Sequence, residues 1–335
     1  MFPSLSSSKQ KKNITTIAFY NVENLFDTLD NPTTADDDFT PKGRLKWTQK
    51  RYNTKLRKLS SVISQLGMNR SKHPPAIVGL VEVENAKVVS DLANSSYLRR
   101  HHYGFVHHDS PDERGIDVAL LYNKIAFELL VSETFPVYLE DDRGERDYTR
   151  DILKVSGNLH GELVHILVNH WSSRREGALE TEPKRVIAAE TARSIIEEIK
   201  AKEMSPKIII MGDFNDDPVS ESILQLINPK TGNDSLINFS NTSYRKGIGS
   251  IAHRDKWHLF DQIIGTKSLI EKPGLQALDF GVYTSKYLQT SRGRYRGYPF
   301  RTYAGLEYQG GYSDHFPVVL KLVFKPTETM EYGLK

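Results

Sequence analysis

The sequence predicts an α/β fold that is rich in β-strands. Short apolar runs with β-branched residues recur along all 335 residues, and the run Ile208–Met211 is typical of a strand covered on both faces. Many of these runs end in carboxylate, amide or imidazole side chains. Two segments between them have the apolar spacing of helices. We therefore expect a sheet-based fold whose polar residues gather at strand ends.

The composition is that of an ordinary globular protein. Apolar residues make up 38% and charged residues 26% of the chain, and 45 Lys and Arg against 42 Asp and Glu give a net charge of +3. With this balance, the protein has no overall positive field that would attract nucleic acid or an anionic membrane. A site for a polyanion must therefore be local. The absence of cysteine excludes disulfides, thiolate metal sites and thiol catalysis.

No apolar run has the roughly 18 residues of a membrane span, and the first residues lack the apolar core of a signal peptide. We expect a cytoplasmic protein, or a secreted or periplasmic one if a leader was removed. The sequence has no internal repeat and no Pro/Ser-rich linker. We therefore expect one domain over residues 14–325, between a disordered tail (1–13) and a C-terminal tail (326–335).

The chain begins with a strand and a helix. The run 14–20 predicts a strand that is followed directly by Asn21 and Glu23. Thr48 is a suitable N-cap for a helix that carries apolar residues on one face as far as residue 66. Its basic residues, Lys55 among them, lie on the remaining arc, which we expect to be a solvated face.

Two further strands are predicted at 76–83 and 117–122. The first contains Glu82, and the alternation of side chains along a strand places Glu84 on the same side. A glutamate in so apolar a strand is costly to bury unless a cation or hydrogen bonds receive it. Glu82 is therefore a candidate functional residue.

A hairpin and a helix follow. Residues 152–156 and 163–168 predict two strands joined by a turn, and the second ends in Asn169, His170 and Trp171. A lone histidine is usually structural, but His170 closes an apolar strand beside Arg174 and its neighbour, which makes it a serious candidate. Pro183 at the favoured first position opens a helix that extends to residue 199.

The stretch KIIIMGDFNDDP predicts a buried strand that turns at Gly212 and delivers Asp213 and Asn215. By itself the stretch is equally typical of an Asp/Asn-rich turn whose side chains cap their own backbone. The polar partners supplied by the other strand ends favour the functional interpretation. Asp216 and Asp217, before Pro218, are better explained as the turn that leads away.

The last third of the chain adds two polar strand ends. Residues 257–265 predict one strand with Asp261 embedded in it, and Asp314 and His315 precede the terminal strand. Between them, residues 289–312 interleave arginines with tyrosines. Such a segment can receive phosphates and stack bases, and a surface loop anchored by its aromatic residues is an equal alternative.

The candidate residues contain carboxylate, amide and imidazole groups and no sulfur. This donor set suits Mg²⁺, Mn²⁺ or Ca²⁺ better than a structural zinc. Two histidines beside several carboxylates can supply the acid and base groups that phosphate-ester hydrolysis needs. No serine or cysteine nucleophile with a matched base is evident.

Six motifs occur in order along residues 14–322: FYNVEN, VGLVEVEN, NHW, MGDFND, FDQIIG and YSDHFP. Together they resemble the motif set of the endonuclease/exonuclease/phosphatase superfamily, the deoxyribonuclease-I-like metal-dependent phosphoesterases. GDFN together with SDH is highly specific, whereas each motif alone is weak. The resemblance implies a four-layer α/β sandwich in which two mostly antiparallel β-sheets pack face to face, with helices on the outer faces.

The resemblance also implies roles for single residues. Glu82 and Asn21 resemble the principal metal-binding pair, with Glu23 close by, and Asp314 resembles a second metal or hydrogen-bond ligand. We expect these four residues at the metal, with Asn21 also at the substrate phosphate. The resemblance identifies Asp213 and Asn215 as the residues that act on the attacking water or the transition-state oxygens. It implies that His315 contacts the scissile phosphate as general base and that Asp261 orients it.

His170 matches the second histidine of the deoxyribonuclease-like, sphingomyelinase-like and inositol-phosphatase-like branches. Apurinic endonucleases have a tyrosine there, which disfavours that branch. Arg150 resembles an arginine that touches substrate phosphate in the deoxyribonuclease, although the proline that usually follows it by two is missing. We expect Arg174 to bind phosphate as well, and Asp117, at a strand start, is a candidate to orient His170.

These features predict a Mg²⁺-dependent phosphodiesterase of nuclease type, acting as a monomer on a phosphate ester such as nucleic acid. The alternative is a phosphatase or phospholipase-type enzyme acting on an inositol phosphate, sphingomyelin or a nucleotide, which the near-neutral net charge favours. A remote alternative is a non-catalytic binding protein on the same scaffold.

Overall fold

Strands dominate the fold, as the β-branched runs predict. The structure is a computed structural model that describes residues 14–228 and 235–325, so the two predicted tails, 1–13 and 326–335, lie outside the described residues. The strands are β1 (Ile14–Leu25), β2 (Ile77–Val83), β3 (Tyr103–His107), β4 (Asp117–Asn123), β5 (Phe127–Phe135), β6 (Leu139–Glu140), β7 (Arg146–Asp147), β8 (Ile152–Leu159), β9 (Glu162–His170), β10 (Ile208–Asp213), β11 (Ile237–Asn238), β12 (Ile251–His253), β13 (Lys256–His258), β14 (Asp261–Gly265), β15 (Gly274–Val282), β16 (Tyr303–Ala304), β17 (Glu307–Tyr308) and β18 (Val318–Lys325). The helices are α1 (Gln49–Ile63), α2 (Met68–Ser71), α3 (Ala86–Ala93), α4 (Glu182–Lys202), α5 (Glu221–Ile227), α6 (Asn241–Arg245) and α7 (Ser268–Glu271).

Two six-stranded sheets form the centre of the fold. The strand order is β15-β18-β1-β2-β4-β3 in the first sheet and β11-β14-β10-β9-β8-β5 in the second. Each sheet has one parallel pair, β1 with β2 and β9 with β10, and its other pairs are antiparallel. The prediction of two mostly antiparallel sheets is confirmed.

The two sheets pack face to face and are covered by helices on their outer faces. Along β1, Ile17 and Phe19 enter the core between the sheets, whereas Ala18 and Tyr20 enter the core under α1 and α3. Along β10, the same alternation sends Ile209 and Met211 between the sheets, and the isoleucines on either side of Ile209 toward α4 and α5. Because both faces of these strands are buried, their sequences are continuously apolar. The predicted four-layer sandwich is confirmed.

The two predicted helices form where the sequence indicates, with small differences in length. Thr48 caps α1, and its side-chain oxygen accepts the N–H of Arg51. Pro183 lies in the first turn of α4, which extends a few residues beyond the predicted end. In the part of the chain that the structure describes, no helix is long and apolar enough to cross a membrane.

The expectation that the basic face of α1 is solvated is wrong for Lys55. This side chain is buried, and Nζ donates to Oγ1 of Thr302 at 2.5 Å and to the carbonyl of Tyr312 at 2.7 Å. Lys58 of the same helix donates to the carbonyl of Gly310. Helix α1 therefore holds the Arg/Tyr segment 289–312 against the first sheet.

Three strand boundaries differ from the prediction. Strand β1 continues through Asn21 to Leu25, with an irregular register beyond Asn21. Strand β10 continues through Gly212, which does not have the left-handed backbone of a turn. Glycine is required there for space, because a Cβ would lie 2.5 Å from the carbonyl oxygen of Asn169. The single strand predicted at 257–265 is two, β13 and β14, so Asp261 begins a strand instead of lying within one.

Candidate active site

The polar strand ends meet at one edge of the sandwich. The parallel pairs β1–β2 and β9–β10 lie in the middle of the two sheets and carry Asn21, Glu82, His170 and Asp213 at or near their carboxyl ends. Asp213 pairs with His170 on one side and with Asp261 on the other. The sandwich therefore brings residues from both sheets together without any long polar loop.

Asp213 is the centre of this cluster. Its Oδ2 lies 3.0 Å from Nδ2 of Asn21, 3.7 Å from Nε2 of His315 and 4.0 Å from Nε2 of His170. Its Oδ1 accepts the backbone N–H of Asn215 at 3.0 Å. Burial raises the pKa of Asp213 to about 6, despite the opposing charge of His315. A carboxyl group with such a pKa can exchange a proton near neutral pH.

His315 is held by Asp261. Nδ1 of His315 lies 2.7 Å from Oδ2 of Asp261, and both side chains are buried. Burial opposes the charged imidazolium, but the carboxylates of Asp261 and Asp213 outweigh it and raise the pKa of His315 well above its usual value. The surroundings of His315 therefore favour the imidazolium form, and its Nε2 points at the centre.

His170 has the opposite electrostatics. Burial lowers its pKa well below the usual value, and the guanidinium groups of Arg150 and Arg114 add to that shift. Its Nε2 lies 3.9 Å from Oε1 of Glu82. The pKa values of the two imidazoles are thus shifted in opposite directions, so the two histidines are not equivalent.

Glu82 and Asn21 lie together, as the resemblance implies. Nδ2 of Asn21 donates to Oε1 of Glu82 at 3.3 Å, and the backbone N–H of Asn24 donates to Oε2 at 3.0 Å. Oδ1 of Asn21 accepts the N–H of Glu23 at 2.9 Å, so the amide turns its nitrogen toward the two carboxylates. Glu82 is the better placed of the two for a cation.

Glu23 and Asp314 form a separate group, because Arg301 lies between them. The guanidinium of Arg301 donates to Oδ2 of Asp314 at 2.9 Å and to Oε1 of Glu23 at 3.4 Å. Oε2 of Glu23 accepts the backbone N–H of Thr302 at 2.6 Å and lies 3.6 Å from Nζ of Lys55. These contacts make Glu23 the anchor of the Arg/Tyr segment on the site.

Several residues at this edge have strained backbone. Glu23, Asn24, Glu82 and Asn215 all have positive φ, between 50° and 61°. Non-glycine residues rarely adopt this region, and such strain clusters at functional sites. The pairing of β2 with β4 is irregular at Glu82, and this irregularity breaks the predicted alternation of side chains. Glu84 therefore does not join Glu82 and accepts the N–H of Asp27 at 2.5 Å.

The two predicted phosphate-binding arginines have partners within the protein. Arg150 donates to Oδ2 of Asp112 and to the carbonyl of Trp171, both at 2.8 Å, and its Nε has no hydrogen-bond partner among the described residues. Arg174 donates to the carbonyl of Asn215 at 2.6 Å and pairs with Asp216. Both lie close to the centre, and Arg150 is buried.

The expectation that Asp117 orients His170 is wrong. Asp117 accepts from Ser110 and lies 3.0 Å from Nε2 of His107, with which it could also share a cation. Nδ1 of His170 has no hydrogen-bond partner among the described residues. The position of Asp117 at a strand start gave no information about which histidine lies across from it.

Asp216 and Asp217 do more than turn the chain. Asp216 is buried and accepts from Arg185 at 2.7 Å and from Ser222 at 2.5 Å. Asp217 lies 2.7 Å from Nδ1 of His258. Asp217 thus fastens the later part of the loop after β10 to His258 and Leu259. Asp216, through Arg174, holds the part with Asn215, whose Nδ2 donates to the carbonyl of Trp171 at 3.0 Å.

Sequence reasoning missed Asn24 and Arg114. Nη2 of Arg114 donates to Oδ1 of Asn24 at 2.8 Å, which links the loop before β4 to the residue that holds Glu82. Asn24 belongs to the FYNVEN motif, so its motif position was a usable signal. Arg114 had none, because nothing in its charged loop indicates which strand end it approaches.

The donor set fits a hard divalent cation. Glu82 offers carboxylate oxygens that no lysine or arginine pairs with among the described residues, and Asp213 lies across Asn21 from it. Asp213, Asp261 and His315 also have ligand atoms within 4.8 Å of one another. Oxygen ligands of this kind suit Mg²⁺ and other hard divalent cations. A cation would also compensate for the burial of these carboxylates.

Comparison with known proteins gives the same family that the motifs indicate. The model of the endonuclease/exonuclease/phosphatase family matches residues 16–323. No curated protein sequence matches the chain.

Solved structures share the fold at low sequence identity. The human nocturnin catalytic domain with a bound sulfate anion has a TM-score of 0.58 at 16% identity, covering 94% of this chain and 96% of that one. Humanized TDP2 of D. rerio has a TM-score of 0.58 at 14% identity, covering 92% and 99%. The mannosyl-6-phosphatase of Bacteroides thetaiotaomicron has a TM-score of 0.57 at 17% identity, covering 92% and 100%. The chain therefore belongs to the endonuclease/exonuclease/phosphatase family of metal-dependent phosphoesterase hydrolases.

Proposed function

We propose that this protein is a monomeric, divalent-metal-dependent phosphodiesterase of nuclease type that hydrolyses its substrate by in-line attack of an activated water. One observation carries the proposal. A single carboxylate oxygen, Oδ2 of Asp213, lies within 4.0 Å of the amide of Asn21 and of both buried histidines. This arrangement surrounds a reacting phosphate with a base, a cation and neutral donors.

The opposite protonation of the two histidines assigns their roles. His315 is charged and binds a phosphoryl oxygen through Nε2, while Asp261 holds its ring at Nδ1. Asp213, with a pKa raised to about 6 by burial, accepts the proton of the attacking water. His170 is neutral and donates from Nε2 to a second phosphoryl oxygen. Asn215, fixed by Trp171, orients the same water.

Glu82, with Asn21 beside it, would hold Mg²⁺, and the oxygen donors also suit Mn²⁺ or Ca²⁺. Such an ion, when bound, neutralises charge on a phosphoryl oxygen and on the leaving oxygen. Glu23 and Asp314 stay predicted as further metal ligands, and both also pair with Arg301 at the rim of the site. Arg301 can there meet a phosphate of the substrate.

The segment 289–312 favours a nuclease over a phosphatase. Arg292 and Arg296 are exposed on it beside the exposed ring of Tyr295, whereas Arg294 pairs with Asp255 at 3.3 Å. Exposed arginines beside aromatic rings are the features that receive nucleic-acid phosphates and bases. Two observations support the phosphatase or phospholipase alternative: the net charge of only +3, and the shared fold with a mannosyl-6-phosphatase.

A substrate panel tests the proposal. Plasmid DNA, phosphomonoesters and phospholipids would be incubated with the purified protein in Mg²⁺, in Mn²⁺ and in excess chelator. We expect cleavage of DNA that chelator abolishes and added Mg²⁺ or Mn²⁺ restores. Turnover of monoesters or phospholipids alone would favour the phosphatase or phospholipase alternative. If no ester is turned over in a metal-dependent way, the non-catalytic binding protein is favoured.

A further inference from the structure

A second cavity lies beside the candidate catalytic centre. It has a volume of about 250 Å³, and we call it the basic cavity because Arg114, Arg150, Arg175 and Lys184 line it. Thr149, Arg150 and Ser172 also line the small pocket that contains His170. The basic cavity therefore shares a wall with the catalytic centre.

Two of its four basic residues are neutralised within the protein. Arg150 pairs with Asp112 at 2.8 Å, and both are buried. Nζ of Lys184 lies 2.9 Å from Oδ2 of Asp147. The positive charges of Arg150 and Lys184 are therefore largely compensated before any ligand binds.

Arg114 and Arg175 are different. Among the described residues, neither has a carboxylate within ion-pair distance, and the hydrogen bond of the Arg114 side chain goes to the neutral amide of Asn24 at 2.8 Å. A guanidinium has several N–H donors, so Arg114 keeps most of them for another acceptor. Arg175 is exposed at the mouth of the cavity.

The acidic residues at the mouth oppose an anion only weakly. Glu113 and Glu176 also line the cavity, but both are exposed, and Glu176 lies 3.4 Å from Nζ of Lys184. Exposed charges are screened by salt, whereas half-buried Arg114 is screened less. The inner wall therefore remains cationic, and Thr149 and Ser172 add hydroxyl groups to it.

Arg114 is fixed relative to the catalytic centre. It binds Asn24, and the backbone N–H of Asn24 holds Oε2 of Glu82 at 3.0 Å. The same guanidinium contributes, after burial and Arg150, to lowering the pKa of His170. Arg114 is therefore tied to the Glu82 side of the candidate centre, and a group that it binds would lie on that side.

We propose that the basic cavity binds a second phosphate group of the substrate, with Arg114 and Arg175 as its ligands. Guanidinium groups match the charge and geometry of phosphate oxygens. The inference rests on the proposed function and narrows it: the preferred substrates are phosphodiesters that carry a further phosphate one sugar away, as in an oligonucleotide. Simple esters with a single phosphate leave the cavity without its anion.

Two matched pairs of chromogenic substrates test this inference. The first pair is the 5′-(p-nitrophenyl phosphate) of thymidine with and without a 3′-phosphate, and the second is the 3′-(p-nitrophenyl phosphate) with and without a 5′-phosphate. The two pairs place the additional phosphate on either side of the scissile ester. We expect the additional phosphate to raise kcat/KM by about tenfold in one pair, the effect of one charge-assisted hydrogen bond.

Variants identify the residues responsible. In Arg175→Gln and Arg114→Gln this ratio of kcat/KM should fall toward one, and Arg175→Lys should keep part of it. Arg175 is exposed, so its replacement does not threaten folding. Arg99→Gln, which replaces an exposed arginine that does not line the basic cavity, should keep the full ratio.

The outcomes separate this inference from the proposed function. Hydrolysis of all four esters with ratios near one in the wild-type protein would overturn the second phosphate subsite alone. So would a ratio that persists in both the Arg114→Gln and Arg175→Gln variants. Metal-dependent hydrolysis of none of the esters, and of no DNA, would overturn the proposed function and this inference with it.

Discussion

Nδ1 of His315 lies 2.7 Å from Oδ2 of Asp261, and the same distance separates Nδ1 of His258 from Oδ2 of Asp217. The first pair faces Asp213 in the candidate site, whereas the second fastens the loop after β10. The chain thus contains two Asp–His pairs of the same geometry, one of which serves as an internal control for the other.

Asp261→Asn should reduce kcat about 10²-fold, because the amide no longer holds His315 as a positively charged ring. The predicted loss is measured with the metal-loaded protein on its best substrate. Asp217→Asn is the matched control, since it alters an equivalent pair and should leave kcat within a few fold. Equal losses in the two variants would show that the Asp261 effect is structural.

Asp213→Asn and His315→Ala should each lower the rate by about 10²–10⁴-fold, the usual cost of removing an acid–base or charge-stabilising group. Asp213→Asn should also keep or raise the melting temperature, because it removes a buried carboxylate whose pKa burial has raised. Calorimetry and steady-state kinetics on one preparation check both statements. Wild-type turnover in either variant would contradict the mechanism.

Mg²⁺ should stabilise the protein, and Glu82 should be required for this effect. A ligand that binds only the folded state at about 100 times its Kd adds about 2.7 kcal/mol to the free energy of unfolding. We expect a Mg²⁺-dependent rise in melting temperature that is lost in Glu82→Gln. Glu84→Gln is the control, because that carboxylate holds Asp27 and should leave the rise intact. A rise that survives in Glu82→Gln would place the ion elsewhere.

Lys55→Met should lower the free energy of unfolding by about 3–5 kcal/mol, the cost of removing one partner of a buried ion pair. The substitution leaves Glu23 without its lysine and removes two bonds that hold the segment 289–312. Urea unfolding measures the change. Adding Glu23→Gln to Lys55→Met should recover part of the loss, and Lys50→Met, on the exposed face, should cost less than about 0.5 kcal/mol.

His165 should make the protein sensitive to acid. Burial lowers its pKa, while Glu203 opposes that shift, and Ser156 lies 2.7 Å from Nδ1. Because the unfolded chain binds the proton more readily, stability is complete above the ordinary histidine pKa and falls as the pH drops below it toward the lowered value.

Urea unfolding of wild type and His165→Gln at pH 7.5 and pH 5.5 tests this prediction. The variant should lose less stability between the two pH values, since it lacks the titrating ring. His73→Gln, which replaces an exposed histidine, should follow the wild-type pH dependence. Parallel curves for wild type and His165→Gln would contradict the assignment.

Much of the fold could be predicted from the sequence. Runs such as Ile208–Met211 are apolar at every position because their strands are buried on both faces, and that pattern indicates the central strands directly. The polar ends of these strands, combined with the motif set, indicated Asn21, Glu82, His170, Asp213 and His315, which the fold brings together.

The partners of these residues could not be predicted in the same way. Asp117 lies at a strand start just as Asp213 lies at a strand end, yet it contacts His107 and not His170. Lys55 belongs to a basic helical arc but is buried against Thr302, about 250 positions away. Periodicity reports which face of an element is apolar, and it contains no information about what another element places opposite that face.

The sequence by itself determined the main strands and helices and the types of side chain at the strand ends, because local propensity and burial impose those patterns on neighbouring residues. The sandwich was implied by the resemblance of the motifs to those of a known family. The tertiary structure alone decided the electrostatics. It raised the pKa of His315 by surrounding it with carboxylates and lowered the pKa of His170 by burying it near arginines. It also placed Arg301 between Glu23 and Asp314, and among the described residues it left Arg114 without an acidic partner within ion-pair distance. Interactions between charges depend on distance and burial, which only the folded chain defines.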